Sequence, residues 1–233
     1  EILFKNIIIG DEPVMLNASL IEKLPDAFII EFSWIPGNLS FAAILEAAGD
    51  IPLPPYIKRD TDIEDRERYQ TIYAMHEGSV AAPTAGIHFT EYLFKKLAAK
   101  NIYKDYVTLH VSAGTFKPVK SLTMEHHEMH PEWIDVDIET IKNIRAKLNS
   151  VIAVGTTSLR TIETLYWLGV KLFLDPGIQK PELQQWDIYE SPLSSTVMGT
   201  EDALNTLLSW MEKHELQKLF SQTRLLIAPG YHF

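Results

Sequence analysis

The stretch SVAAPTAGIHFT, residues 79–90, runs from a strand-like apolar start through a tight turn into the beginning of a helix. Pro83 lacks a backbone donor and Gly86 can adopt a positive φ, so the backbone can bend sharply here. Thr90 is a favourable N-cap for the helical apolar spacing that follows it. Such a turn is either an ordinary βα connection or a cradle that presents backbone N–H groups to a polar or anionic ligand. Both alternatives stay open on these residues alone.

The composition indicates a globular protein. The 233 residues are 46% hydrophobic, which suffices for a core in one or two domains. Because cysteine is absent, disulfides, thiolate zinc sites and a cysteine nucleophile are excluded. No apolar run approaches the roughly 18 residues of a membrane span, and no signal-peptide pattern opens the chain. We therefore expect a cytoplasmic protein.

The order of strand and helix patterns predicts two domains. Residues 1–48 are strand-rich, with strands predicted at 2–9, 14–20 and 27–34 and a short helix at 41–48, and they indicate part of a small β domain. A proline-stiffened linker follows at 51–57. Residues 49–233 then alternate between strands and helices, which predicts an α/β domain with a mixed, largely parallel sheet. The chain stops at a turn directly after a strand, so we expect this domain to lack its C-terminal end. The predicted elements of the second domain are helices at 90–100, 138–148, 158–168, 201–213 and 215–220, and strands at 105–112, 151–155, 171–174 and 223–228.

Two further segments share the small-residue design of the opening turn. Residues 108–116, TLHVSAGTF, and residues 153–160, AVGTTSLR, each pass from an apolar run into glycine and hydroxyl residues. Ser158 is expected to cap the helix that follows, and Arg160 needs an anionic partner because the helix dipole disfavours a cation there. Ligands of parallel α/β sheets bind at loops of this kind, so the three loops together predict a pocket. None of the loops matches the Walker or the dinucleotide-binding glycine pattern.

The histidines of the chain allow several interpretations. Residues 125–132, EHHEMHPE, combine three histidines with three carboxylates, which are common metal ligands. The zincin pattern that begins at His127 would need a second histidine where Pro131 stands, and this proline would break the required helix. We therefore expect separate hydrogen-bonding roles and no metal. His88 and His110 lie close to the small-residue turns, where each is either a general acid or base or a satisfied core group.

Seven motifs occur along the chain in a fixed order. They are PLPPYI (52–57), YQTIYA (69–74), GSVAAPTAGIHFT (78–90), LHVSAGTFKPV (109–119), HEMHPE (127–132), VGTTSLRTIET (154–164) and PGYHF (229–233). Together they resemble the S-adenosylmethionine:tRNA ribosyltransferase-isomerase family of queuosine biosynthesis. The resemblance is close over residues 50–170 and returns at the C-terminal PGY. It implies transfer and isomerisation of the ribosyl part of S-adenosylmethionine onto an aminomethyl-7-deazaguanine at the tRNA wobble position, with release of adenine and methionine.

The resemblance also implies which residues form the site. The catalytic candidates are His88, His110, His130 and Glu132, with His88 first because it lies within the densest motif. S-adenosylmethionine is expected as co-substrate, with no metal. The implied co-substrate contacts are Pro83, Thr84, Ala85, Gly86, Phe89, Thr90, Gly114, Thr115, Phe116, Gly155, Thr156, Thr157, Ser158 and Arg160.

The tRNA partner has to be reconciled with the charge of the chain. The formal net charge is −10, which argues against a generally basic surface. Any tRNA contact is therefore expected at a local patch, for which the candidates are Lys58, Arg59, Lys117 and Lys120. The sequence is silent on the oligomeric state, with a monomer favoured.

Departures from the family pattern keep other functions open. Ser112 and Pro131 replace the usual glycine and serine of their motifs. The region 171–222 is longer than the family pattern and carries QQWD and SPLSS stretches that do not match it. One alternative is a divergent S-adenosylmethionine- or nucleoside-processing enzyme that acts on a small molecule. The other is a non-catalytic tRNA-binding relative.

Overall fold

The computed structural model describes residues 2–24, 27–50, 52–54, 57–62, 64–75, 79, 81–111, 121 and 123–232. Contacts between residues divide the chain into two compact units, 1–51 and 52–233. The assignment of 1–48 and 49–233 to two domains stays a prediction.

The first unit is a three-stranded antiparallel sheet with one helix. Its strands are β1 (Ile2–Ile9), β2 (Glu12–Lys23) and β3 (Phe28–Ile35), in the order β1-β2-β3. Helix α1 (Phe41–Ala48) begins where Ser40 Oγ accepts the N–H of Ala43 at 3.2 Å. Three strands and a helix at these positions confirm the sequence prediction. The small core of this unit consists of Ile7, Val14, Leu16 and Ile44.

The second unit combines a three-stranded sheet with several helices. Its sheet has the order β4-β5-β6. The elements are α2 (Asp65–Arg68), α3 (Glu91–Ala99), β4 (Thr108–His110), β5 (Glu132–Asp137), α4 (Ile138–Ala146), α5 (Thr156–Leu174), α6 (Thr200–Lys213) and β6 (Lys218–Thr223).

The mixed α/β class is confirmed, but the expectation of a largely parallel sheet is wrong for the described strands. Both sheets are antiparallel throughout their named strands. Among the described residues one isolated parallel bridge joins Leu183, outside the named strands, to Thr223 at the end of β6. The physical reason is the connectivity, because α4, α5 and α6 all separate β5 from its neighbour β6. A crossover through one helix would set adjacent strands parallel, but β5 and β6 are joined through three helices.

Four predicted elements differ from the structure. The strand predicted at 223–228 is displaced, because β6 covers Lys218–Thr223 and residues 224–228 are not a strand. Residues 151–155 are not a strand, and the segment predicted as a strand at 171–174 is the end of helix α5. The helical spacing of buried leucines continues from Leu165 through Leu172, so the helix does not stop at 168. Residues 215–220 were predicted as a helix, yet β6 begins at Lys218. The inward side chains of β6 alternate with period two, which is the strand pattern.

The core of the second unit lies between the sheet and helices α4, α5 and α6. Gly169 on α5 packs directly against the backbone of Ala203 on α6, and a Cβ at position 169 would collide with the Ala203 carbonyl. Strand β5 turns Glu132, Ile134 and Val136 towards this core. The carboxylate of Glu132 is thus placed at the inner face of the sheet. No helix among the described residues is long and apolar enough to cross a membrane.

Candidate functional site

The turn at 79–90 is fastened to the end of strand β4. Ser79 Oγ accepts the N–H of Val111 at 3.2 Å, directly after β4 ends. Residues 84–86 form a single 3-10 turn, and Thr90 Oγ1 then accepts the N–H of Leu93 at 3.2 Å to cap α3. The predicted N-cap is confirmed, and the turn is fixed between a strand end and a helix start.

Gly86 allows the turn to pack against the YQTIYA motif. The residue is buried, and a Cβ at position 86 would collide with the Tyr73 hydroxyl. The Tyr73 ring lies 6.5 Å from that of Phe89 and 5.6 Å from that of Tyr106, measured between centroids. Phe89 therefore belongs to an aromatic cluster that holds the turn, while Pro83 and Thr84 at its tip are exposed.

The turn meets the glycine loop that precedes α5. Gly155 has a φ of +94°, and a Cβ built there would lie 3.2 Å from Ala85 Cβ. Gly155 is the residue that precedes the first helical residue, Thr156. The expectation that Ser158 caps this helix is wrong, because the backbone turns into the helix at Gly155 and Ser158 already lies in the first helical turn. Two of the three small-residue loops are thus adjacent in space.

Arg160 finds its anionic partner on the sheet. Its Nη1 donates to Glu132 Oε2 at 2.7 Å, joining helix α5 to the first residue of β5. The Glu132 side chain is only 6% exposed and that of Arg160 is 20% exposed. Because the pair is largely shielded from water, its attraction is stronger than that of a surface ion pair. The sequence predicted both residues for the site, and the structure brings them into contact.

A second polar pair joins α5 to the PGYHF motif. The Tyr231 hydroxyl donates to Glu163 Oε2, and Trp167 Nε1 donates to the Tyr231 oxygen at 2.9 Å. Burial raises the pKa of Glu163 above its ordinary value, and the Tyr231 hydrogen bond partly offsets this. Burial also raises the pKa of Tyr231, with a further contribution from Glu163. Next to these residues, Thr164 Oγ1 and Thr223 Oγ1 lie 2.8 Å apart, so α5 also contacts the end of β6.

The sequence analysis did not name Glu163 or Tyr231 as candidates for the site. The spacing in VGTTSLRTIET places Glu163 three positions, about one helical turn, after Arg160, but it does not indicate the contact with Tyr231. The signal for Tyr231 was that it belongs to the only late motif that returns after a long unmatched segment.

The three histidine candidates differ in their exposure and in the element that carries them. His88 is exposed, and the centroid of its ring lies 4.4 Å from that of the Phe89 ring, to which it is tilted by 35°. His110 is opposite Trp133 in the strand register, so it lies on the outer face of the sheet, whereas Glu132 points inward. His130 is exposed.

The remaining predicted contacts divide into two groups. Thr156 is exposed, and Thr157 is half-buried with its carbonyl accepting the hydroxyl of Thr161 at 3.0 Å. Gly114, Thr115 and Phe116 lie outside the described residues, as do Lys117 and Lys120 of the predicted tRNA patch. Within the described ranges no group of three metal-ligating side chains is assembled.

The segment that matched nothing in the sequence analysis holds the histidine loop in place. Gln185 Nε2 donates to the carbonyl of His127, and Gln185 Oε1 accepts the N–H of Met129 at 2.8 Å. The same segment is bonded to the sheet, because Leu183 N–H donates to the carbonyl of Gln222 at 3.2 Å. Residues 181–185 thus form a brace between β6 and the loop at 127–130.

Comparison with known proteins gives a consistent family. The family model described as "Queuosine biosynthesis protein" matches residues 3–233. The S-adenosylmethionine:tRNA ribosyltransferase-isomerase of Francisella philomiragia is 36% identical over 227 residues, covering 93% of this chain and 64% of the relative. The protein of the same name from Thermosynechococcus vestitus is 39% identical over 239 residues, covering 94% and 66%. That from Acidithiobacillus ferrooxidans is 47% identical over 154 residues, covering 61% and 45%.

The chain spans less than two thirds of the length of these curated relatives, 64% in the case of the Francisella philomiragia protein. No solved structure matches the chain.

Proposed function

This chain belongs to the queuosine biosynthesis protein family, and from that premise we propose that the protein is a tRNA-modifying ribosyltransferase-isomerase. It moves the ribosyl part of S-adenosylmethionine onto the aminomethyl group of a 7-deazaguanine at the wobble position of tRNA. The products are epoxyqueuosine in tRNA, adenine and methionine. The observation that carries the proposal is the family match over residues 3–233. It is supported by relatives of that name at 36–47% identity.

The geometry supports a site at one edge of the second sheet. The end of β4 holds Ser79, the start of β5 carries Glu132, and the end of β6 contacts Thr164. The Ala85–Gly155 contact closes the two small-residue loops on each other beside this edge. Backbone N–H groups and hydroxyls at such loops suit the ribose hydroxyls and the carboxylate of S-adenosylmethionine.

The chemistry of the co-substrate defines what the side chains have to do. The sulfonium acidifies the hydrogens on the adjacent ribose carbon, so a general base assists by taking one of these protons. Adenine leaves more readily when a proton or hydrogen-bond donor reaches its ring. His88, exposed on the turn, is the first candidate for proton transfer, with His110 and His130 as the others. Glu132 is engaged by Arg160, so we assign it a positioning role.

Glu163 is added to these candidates. Its Oε2 is held by Tyr231, which in turn is held by Trp167, so the carboxyl group has a fixed orientation. A carboxyl group whose pKa is raised by burial is suited to carry a proton closer to neutral pH than an exposed one. The Gln185 side chain likewise fixes the loop at 127–130, because it is hydrogen-bonded to the backbone of His127 and Met129.

Adenine release is the experiment that tests the proposed function. The full-length protein is mixed with S-adenosylmethionine, with tRNA that carries the aminomethyl-deazaguanine, and in a parallel sample with unmodified tRNA. Release of adenine only with the modified tRNA is expected. Release with a small-molecule acceptor instead, or none under any condition, would overturn the proposal. His88→Ala should lower the rate; an unchanged rate would remove His88 from the chemistry.

A further inference from the structure

Helix α3 and the loop that follows it carry a concentrated positive charge in an acidic protein. Residues 91–106, EYLFKKLAAKNIYKDY, contain four lysines and two acidic residues, whereas the chain as a whole has a formal charge of −10. All four lysines are exposed. Among the described residues none of the four takes part in an ion pair. The four are Lys95, Lys96, Lys100 and Lys104.

The acidic residue at the end of this segment is hydrogen-bonded to helix α4. Asp105 Oδ1 accepts the hydroxyl of Thr140 at 2.7 Å, and Asp105 Oδ2 accepts the side-chain amide of Asn143 at 2.9 Å. Both partners lie on helix α4. The Asp105 carboxylate thus joins the loop to α4. With Asp105 and Glu91 counted, the segment still carries two more positive than negative charges.

Exposed tyrosine rings stand among the lysines. Tyr103 is 86% exposed and Tyr92 is 66% exposed, values that are unusual for such large rings in a folded chain. Lys96 Nζ lies 4.6 Å from the centroid of the Tyr92 ring, and Lys104 Nζ lies 4.0 Å from that of Phe94. Cations held over rings, next to rings that are open to solvent, form a surface that offers both charge and stacking.

This lysine–tyrosine surface, residues 91–106, is continuous with the candidate site. Helix α3 begins at Glu91, directly after the cap Thr90 and three residues after His88. A polyanion lying along α3 would reach the turn at 79–90 past Glu91 in the first turn of the helix.

We propose that the lysine–tyrosine surface binds RNA, with the lysines on phosphates and Tyr103 stacking on an unpaired base. The inference rests on the proposed function, in which the RNA is the tRNA substrate. Charge complementarity favours a phosphate polymer, because the segment has a local excess of positive charge in a chain whose formal charge is −10. The rings favour a single-stranded region such as a loop, since bases in a duplex are not free to stack on side chains.

The experiment compares two variants of equal net charge. The surface variant carries Lys95→Ala, Lys96→Ala and Lys100→Ala; the control carries Lys147→Ala, Lys180→Ala and Lys213→Ala, three lysines that are also exposed. Binding of an unmodified tRNA transcript is followed by fluorescence anisotropy at several salt concentrations. The surface variant should bind about tenfold or more weakly, and its slope of log affinity against log salt should fall by about 0.7 to 0.9 for each lysine that contacts a phosphate. The control variant should keep the wild-type slope.

A second variant tests the stacking. Tyr103→Ala should weaken tRNA binding several-fold without changing the salt slope, because it removes a ring and no charge. Tyr103→Phe keeps the ring and should bind as the wild type does. Equal loss in the two tyrosine variants would overturn the stacking part of the inference.

The outcomes separate this inference from the proposed function. S-adenosylmethionine binding, measured by calorimetry, should be the same in the wild type and in both triple variants. If the wild type binds tRNA and both triple variants lose the same affinity and the same part of the salt slope, the assignment of RNA binding to the lysine–tyrosine surface is wrong. The proposed function would stand. If the wild type binds no tRNA but binds vesicles of anionic lipid through these lysines, the RNA assignment is overturned together with its premise.

Discussion

The ion pair between Glu132 and Arg160 makes a quantitative prediction about how the site edge is held together. The two atoms are 2.7 Å apart, and the side chains are 6% and 20% exposed. Removing one partner of a fully buried pair costs about 3–5 kcal/mol, and of an exposed pair about 0–1 kcal/mol. Because Arg160 keeps some access to water, we expect Glu132→Gln to lower the free energy of unfolding by about 2–4 kcal/mol.

The assay is a double-mutant cycle on the free energy of unfolding in urea. Glu132→Gln, Arg160→Met and the double variant are compared with the wild type. Since each single variant leaves one group buried without its counter-charge, the double variant should be less destabilised than the sum of the two, with a coupling energy of about 1.5–3 kcal/mol. The single variants should also lower the affinity for S-adenosylmethionine, because the edge that positions the loops is loosened.

The chain offers a matched control pair. Lys142 Nζ and Glu139 Oε1 on α4 are 2.9 Å apart, but their side chains are 37% and 72% exposed. The same cycle at this pair should give a coupling of about 0.5 kcal/mol or less. Equal couplings at the two pairs, or additivity at Glu132 and Arg160, would refute the reasoning that burial makes this ion pair strong.

Three further predictions follow from other contacts. Gly169→Ala should lower the free energy of unfolding by about 1–3 kcal/mol, because the added methyl meets the backbone of α6; Gly37→Ala, with open space around it, should change it by less than about 0.5 kcal/mol in the same urea titration. The raised pKa of Glu163 contributes stability that is present below its unfolded pKa, about 4.3, and is lost as pH rises through the folded value. Tyr231→Phe removes the hydrogen bond that lowers this pKa, so the stability contributed by Glu163 should be lost at a higher pH. The free energy of unfolding, measured at several pH values, should show this shift. A shift to lower pH would contradict the assignment. Gln185→Ala should speed amide exchange over residues 123–130, and unchanged protection there would show that the brace is not needed.

Local features were predictable from the sequence because they depend on neighbouring residues. Thr90 as a cap and Phe41–Ala48 as a helix follow from hydroxyl placement and apolar spacing within one or two turns. Strand direction was not predictable in the same way. Alternating strands and helices are also produced when three helices pack together before the chain returns to the sheet, as happens between β5 and β6.

The candidate site shows the same division. The motifs predicted Ala85, Gly155, Glu132 and Arg160 as candidates for the site. In the structure Ala85 lies beside Gly155, and Glu132 is paired with Arg160. Glu163 could not be selected by residue type, since a glutamate inside a helix is most often a solvated surface group. Its burial and its Tyr231 partner depend on a contact across 68 residues of chain, which no local pattern encodes.

The modified nucleoside itself provides the most direct test of the central claim. tRNA bearing the aminomethyl-deazaguanine is incubated with the full-length protein and S-adenosylmethionine, digested to nucleosides and analysed by mass spectrometry, while free adenine is measured in the same sample. The proposed function predicts that the substrate nucleoside is replaced by epoxyqueuosine in the same molar amount as the adenine released. Adenine released without any change in the nucleoside, or a nucleoside that gains only a methyl group, would contradict it.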